Sequence, residues 1–224
     1  MGTRISFPRT DGKPTEGYLA KAGRDHAPGV VVIQEWWGLQ DQIRGICDRL
    51  ALAGFDALAP DLYAGRVVPY HDAAAAGAEM RSLNFKDVAE NVVRGAVLYL
   101  KKSSPKVGMT GFCMGGAVTL LSAQHVPELT CGAPFYGMPP AGLFDAAKVR
   151  VPLQCHFSNT DDHPSPAQVD EMEKAFTAAG LKSEVFRYDA SHAFMNEQRP
   201  AHDRSAAELA WGRLLGFLGK HLTA

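Results

Sequence analysis

Cys113 stands inside Gly111-Phe112-Cys113-Met114-Gly115-Gly116, between an apolar run at 106–110 and a very apolar segment that reaches Gln124. The pattern is G-x-S-x-G with cysteine in place of serine. It suits a sharp strand-to-helix turn, where glycines are needed because side chains would collide with the helix and the neighbouring strand. Such a turn sets the sulfur at a helix N-terminus, whose dipole favours a thiolate. It also directs the Met114 N–H toward a developing oxyanion. The chemistry this permits is nucleophilic acyl transfer. Six residues alone leave another reading open, a structural thiol in a tight turn.

A cysteine nucleophile needs a base, and the base needs an orienting acid. The order nucleophile, acid, histidine is met downstream. Strand-like residues 152–157 run into Ser158-Asn159-Thr160-Asp161-Asp162-His163, and 183–188 run into Asp189-Ala190-Ser191-His192-Ala193-Phe194. His192 is the expected base. Asp161 or Asp162 is the expected acid, with the other free to cap the helix that starts near Pro166. Upstream, Gln34-Glu35-Trp36-Trp37-Gly38 closes the buried run 29–34. Glu35 is a carboxylate at a strand end, and Trp36 offers a second oxyanion N–H. The alternatives are a loop ion pair, with Arg44 as partner, for Glu35 and plain packing for the two tryptophans.

These residues sit at the ends of alternating short apolar runs and longer helical patterns. Runs at 29–34, 55–59, 106–110, 130–136, 152–157 and 183–188 read as strands. Segments 41–53, 84–101, 114–124, 166–179 and 201–221 read as helices, with a further helix in the alanine tract between Tyr70 and Met80. The alternation predicts an α/β fold, a mostly parallel sheet with helices on both faces. The first twenty residues predict an antiparallel edge hairpin about Asp11-Gly12. No linker or repeat is visible, so residues 1–224 are expected to form one domain.

The formal net charge is −1, with 46% hydrophobic and 21% charged residues. Neither a nucleic-acid nor an anionic-membrane partner is indicated. The first residues lack a signal-type apolar core, and no run is long enough to span a bilayer. The four cysteines, 47, 113, 131 and 155, have no disulfide or zinc spacing, which suits a reducing, cytoplasmic setting. Cys47, Cys131 and Cys155 read as buried hydrophobes. No pattern calls for a cofactor or metal: Glu35, Asp162 and His163 have no ligand spacing. A redox-sensor role for Cys113 would need a resolving cysteine beside it. The expected partner is a small-molecule ester or lactone, and the expected assembly is a monomer or small homo-oligomer.

QEWWG at 34–38, Gly54 to Tyr63, GFCMGG at 111–116, Phe135-Tyr136-Gly137, the Asp161 region and SHAF at 191–194 together resemble the dienelactone hydrolases (carboxymethylenebutenolidases) of the α/β-hydrolase superfamily. The resemblance covers nearly the whole chain. It implies a Cys113–His192–Asp161 triad, an oxyanion hole at Met114 and Trp36, and a Glu35 that contacts the resting thiol. Asp162 is the alternative acid. Tyr136, Trp37, Phe194 and Asn196 are the expected substrate-binding residues. Asn196 and the alanine tract stand where dienelactone-cleaving members carry two arginines, which points to a less polar ester or lactone. Arg66, Arg81 and Arg199 are the possible substitutes, and no spacing selects among them.

Overall fold

Val30 and Val32 bury themselves on one face of strand β3 (Gly29–Ile33), and Val31 and Ile33 on the other. A strand apolar on both faces has to lie inside a sheet covered on both sides. The computed structural model, which describes residues 1–223, has this arrangement. β1 (Thr3–Pro8) and β2 (Pro14–Ala20) form the antiparallel edge hairpin, and β2 pairs antiparallel with β4 (Asp56–Pro60). β3, β4, β5 (Val107–Phe112), β6 (Cys131–Phe135), β7 (Leu153–Ser158) and β8 (Ser183–Tyr188) are parallel. The strand order is β1-β2-β4-β3-β5-β6-β7-β8.

Helices cover both faces. Ile43, Ile46, Cys47 and Leu50 of α1 (Asp41–Leu52) share one core with Leu214, Phe217 and Leu218 of α7 (Arg204–Leu222). The opposite face receives α3 (Phe85–Asp87), a π-helical stretch Val88–Val93, α4 (Arg94–Leu100) and α5 (Met114–His125). The sequence predicts one unbroken α-helix over 84–101. The wider π winding instead keeps Val88, Ala89, Val92 and Val93 all buried. α6 (Pro166–Ala178) packs Val169, Met172 and Phe176 over β7. The alanine tract forms α2 (Ala73–Ser82), whose N-cap Asp72 accepts from the Ala75 N–H.

Two boundaries move for local reasons. β5 runs on to Phe112 because Gly111 and Phe112 stay in register with Pro134 and Phe135. α7 begins at Arg204 because the Asp203 carboxylate caps it through the Ala206 N–H. α6 is capped neither by Asp161 nor by Asp162. Ser165 and Gln168 form a reciprocal capping box there.

The elbow after β5 is sterically exacting. A Cβ on Gly115 would strike the carbonyl oxygens of Ile33 and Gln34, the latter at 2.6 Å. Both obstacles are backbone and cannot rotate away. Gly115→Ala is therefore expected to cost about 2–3 kcal/mol and to lower Tm by roughly 5–10 °C. A thermal melt checks this; a variant that melts with the wild type would show that α5 can shift off β3.

Candidate active site

The ends of five parallel strands converge at one place. Glu35 follows β3, Cys113 follows β5, Tyr136 follows β6, Asp161 follows β7 and His192 follows β8. This is the carboxyl edge of the sheet, where open α/β folds bind ligands. Cys113 itself holds φ +54° and ψ −117°, and the Met114 N–H begins α5. Tyr136 (φ +34°) and Ala193 (φ +64°) also carry positive φ. Non-glycine strain of this kind costs about 1–3 kcal/mol per residue and clusters at functional sites. Here the turn is held from below: the Cys113 N–H donates to Phe135 O at 3.0 Å, and its carbonyl accepts from the Gly116 N–H at 2.8 Å.

His192 is hydrogen-bonded to Asp161 and lines the same cavity as Cys113. Its Nδ1, facing a carboxylate, donates to Asp161 Oδ2 at 2.5 Å. Cys113 lies close enough to the ring to raise its pKa. Burial alone would pull the imidazole below its ordinary value. Asp161 and Cys113 outweigh burial and push it up to about 10. Cys113 is partly accessible, whereas Cys47, Cys131 and Cys155 are buried, and burial pushes those three thiols up.

Geometry separates the two aspartates. Asp161 is buried, and its Oδ1 accepts from the His163 N–H at 2.9 Å, which leaves Oδ2 for His192. Asp162 is exposed and lies on the cavity wall. The loops bearing Asp161 and His192 are tied together. Ser158 Oγ and Thr160 Oγ1 both donate to Ala190 O, the latter at 2.9 Å, and Asn159 Nδ2 donates to Asp189 Oδ1 at 2.7 Å.

Glu35 is buried, and its carboxylate accepts from Asn196 Nδ2 at 2.8 Å and from the Tyr136 hydroxyl at 3.3 Å. Burial raises its pKa; the Asn196 hydrogen bond, the charges of His192 and Arg199, and Tyr136 oppose that rise. These bonds differ from the thiol contact that the resemblance implies for Glu35. Nor does Glu35 meet Arg44, which pairs with Asp41 at 2.8 Å.

The thiol opens into a cavity of about 670 Å³, large enough for a small-molecule ligand. Trp36, Met80, Phe85, Met114, Tyr136, Met138 and Pro140 make most of its wall apolar. Of the four substrate-contact residues expected from sequence, Tyr136 lines this cavity. The other three stand behind its wall. Trp37 packs on Tyr70, Phe194 packs on Tyr136 and Tyr188, and Asn196 is spent on Glu35. Trp37 and Phe194 are drawn into the core by their apolar area, and Asn196 by the buried carboxylate it must satisfy.

Sequence reasoning did not select Met80, Phe85, Met138 or Pro140, and left Arg81 and Arg199 unassigned; all six line the cavity. The one available signal was periodicity: Met80 and Arg81 close the helix that begins at the alanine tract. Arg66 is engaged in an ion pair with Glu79. Glu35, Asp162 and His163 are not gathered, since Glu35 is sealed beneath Tyr136 and Asn196 while the other two lie on the outer wall.

A parallel sheet flanked by helices, with a strained cysteine elbow on β5 and a histidine after β8, defines the α/β-hydrolase class. The dienelactone hydrolase family profile matches residues 15–222, and the chain belongs to that family of ester and lactone hydrolases. It is similar to protein usf of Aquifex pyrophilus, 34% identical over the whole of both chains. It is also similar to a provisionally named carboxymethylenebutenolidase of Aquifex aeolicus, 32% identical over 99% of this chain and all of the relative. Among solved structures, a provisionally named dienelactone hydrolase from Klebsiella pneumoniae superposes with a TM-score of 0.89 at 26% identity, over 98% of this chain and 99% of that one. Among the described residues, no helix is long and apolar enough to cross a membrane.

Proposed function

We propose that the protein hydrolyses carboxylic esters or lactones through an acyl-Cys113 intermediate, and that its preferred substrate carries an anionic group. The observation that carries the reaction is the imidazole that is hydrogen-bonded to Asp161 and shares the cavity wall with Cys113, which raises its pKa. His192 is pushed up to about 10, and in general a protonated imidazole beside a cysteine favours the reactive thiolate. The thiolate attacks the carbonyl carbon, and the N–H groups of Met114 and Trp36 receive the oxyanion. The C–O bond breaks as His192 delivers its proton to the leaving oxygen. Neutral His192 then takes a proton from water, the hydroxide attacks the thioester, and the carboxylic acid departs as the thiolate re-forms. Thiolate leaves more readily than alkoxide or amide, so activated esters, enol-lactones and thioesters are favoured over peptides.

Two guanidinium groups support the anionic preference, against the less polar substrate suggested by Asn196 and the alanine tract. Arg81 reaches the cavity from the last turn of α2, and Arg199 reaches it while lying over the Trp37 ring, 5.0 Å from its centroid. Among the described residues neither is in an ion pair, and Arg199 is partly shielded from solvent. A charge-assisted hydrogen bond is stronger than a neutral one. The apolar remainder of the wall favours a second reading, a broad carboxylesterase or thioesterase indifferent to substrate charge.

The test is a panel of matched esters, enol-lactones and thioesters with and without a carboxylate, followed by intact-mass detection of the acyl adduct. An adduct on Cys113 is expected. Arg81→Ala and Arg199→Ala should each raise KM for the carboxylate-bearing substrate by roughly 10- to 100-fold, and leave the neutral one within about twofold. Turnover with no adduct at Cys113 overturns the mechanism. Equal effects on charged and neutral substrates leave the charge-indifferent esterase standing.

A further inference from the structure

Tyr63 touches both residues assigned above to the oxyanion hole, Trp36 and Met114. It sits in Asp61-Leu62-Tyr63, just beyond β4, and is buried. Its hydroxyl donates to the Trp36 carbonyl oxygen at 3.1 Å and lies 3.3 Å from the Met114 sulfur. A phenol has one proton, and a thioether is a weak acceptor, so the proton belongs to the carbonyl and the sulfur packs against the oxygen. We infer that Tyr63 is a positioning residue for the oxyanion hole: it fixes the Glu35–Gly38 turn against the start of α5, and so sets the spacing of the Trp36 and Met114 N–H groups.

Three hydrogen bonds hold the Glu35, Trp36 and Trp37 carbonyls of that turn. The Gly38 N–H donates to Glu35 O at 3.4 Å, and this carbonyl belongs to the same peptide group as the Trp36 N–H. The Val68 N–H donates to Trp37 O at 2.8 Å. The Tyr63 hydroxyl holds the peptide between them. Of the three, only the Tyr63 contact reaches across to α5, where the second donor lies. Tyr63 is anchored in turn: its own N–H donates to Asp61 Oδ1 at 3.0 Å, and Asp61 Oδ2 accepts from the Gly65 N–H at 2.7 Å. An oxyanion hole works only when both donors are in place before charge develops, because no reorganisation is then needed during the reaction. Tyr63 does not line the cavity, so its influence on substrate passes through the two backbone donors.

This inference rests on the Cys113 acyl-transfer reading, and its test separates the two. Tyr63→Phe removes one oxygen and keeps the ring. The rate of Cys113 acylation by an activated ester is compared with the rate of its alkylation by iodoacetamide, which forms no oxyanion. The expected result is a roughly tenfold slower acylation, KM for the ester within about twofold, and alkylation unchanged. The unchanged alkylation also shows that the variant is folded about its thiol. A purely structural role would move both rates together, and that outcome, like unaltered acylation, overturns the role of Tyr63. Ester hydrolysis that survives complete alkylation of wild-type Cys113 overturns the nucleophile itself, and this inference with it.

Discussion

Cys113→Ala is expected to lower kcat for a good ester or lactone substrate by at least ~10⁴-fold, while substrate still binds. The size follows from what the thiol does alone. Alanine leaves the cavity, the oxyanion donors and His192 in place, and these without a nucleophile give the residual rate of an oriented water. No neighbouring thiol can substitute: Cys47, Cys131 and Cys155 are buried, and burial holds all three protonated. Iodoacetamide should accordingly label one site in the folded protein, and the variant should take no label. Binding should persist because most of the wall is made by other residues, among them Trp36, Met80, Phe85, Tyr136 and Met138. Stopped-flow kinetics with a chromogenic ester, beside equilibrium binding of a non-hydrolysable analogue, measure the two quantities. A variant that retains even a tenth of the wild-type kcat would remove Cys113 from the mechanism.

How much of this was legible in the sequence depends on the range of the interaction. The elbow was readable because its glycines answer to contacts at the turn itself, the carbonyls of Ile33 and Gln34 against Gly115. The strand–helix order was readable because burial on both faces leaves runs such as Val30 to Ile33. The cap of α6 was also available in Ser165-Pro166-Ala167-Gln168, a short-range signal that two nearby aspartates obscured. The cavity wall was different. Arg81 and Arg199 lie far apart in sequence and reach one cavity through the placement of α2 and of the loop after β8. Trp37 and Phe194 flank residues at the site, so position suggested contact with substrate, but their area is satisfied by the core. Asn196 shows the same limit. Its loop position pointed outward, and a buried carboxylate 161 residues earlier draws it inward.

Asp161→Asn is expected to lower kcat by about 10³- to 10⁴-fold, and Asp162→Asn by no more than about threefold. The two residues are adjacent, so the pair of variants is internally controlled for loop charge. Asp161 fixes the imidazole with Nδ1–H toward itself and the other nitrogen toward sulfur; an asparagine can present its NH₂ instead and favour the wrong tautomer. It also removes part of what holds the imidazolium. In the wild type His192 is charged below about pH 10, against an ordinary value of 6.5, so the ion pair stays intact at neutral pH and is lost as pH rises through about 10. The sign for stability is the same: a raised histidine stabilises the fold fully below about 6.5, and this contribution disappears between about 6.5 and 10. Without Asp161 the imidazole should lose its proton at lower pH. The alkaline limb of the kcat/KM profile should then move toward neutrality in Asp161→Asn and stay in place in Asp162→Asn. Alkylation of the thiol should not share that limb, because it needs no proton from His192. If Asp162→Asn instead carried the large loss and the shifted limb, the acid would be the exposed residue, and the 2.5 Å contact between Asp161 and His192 would be structural.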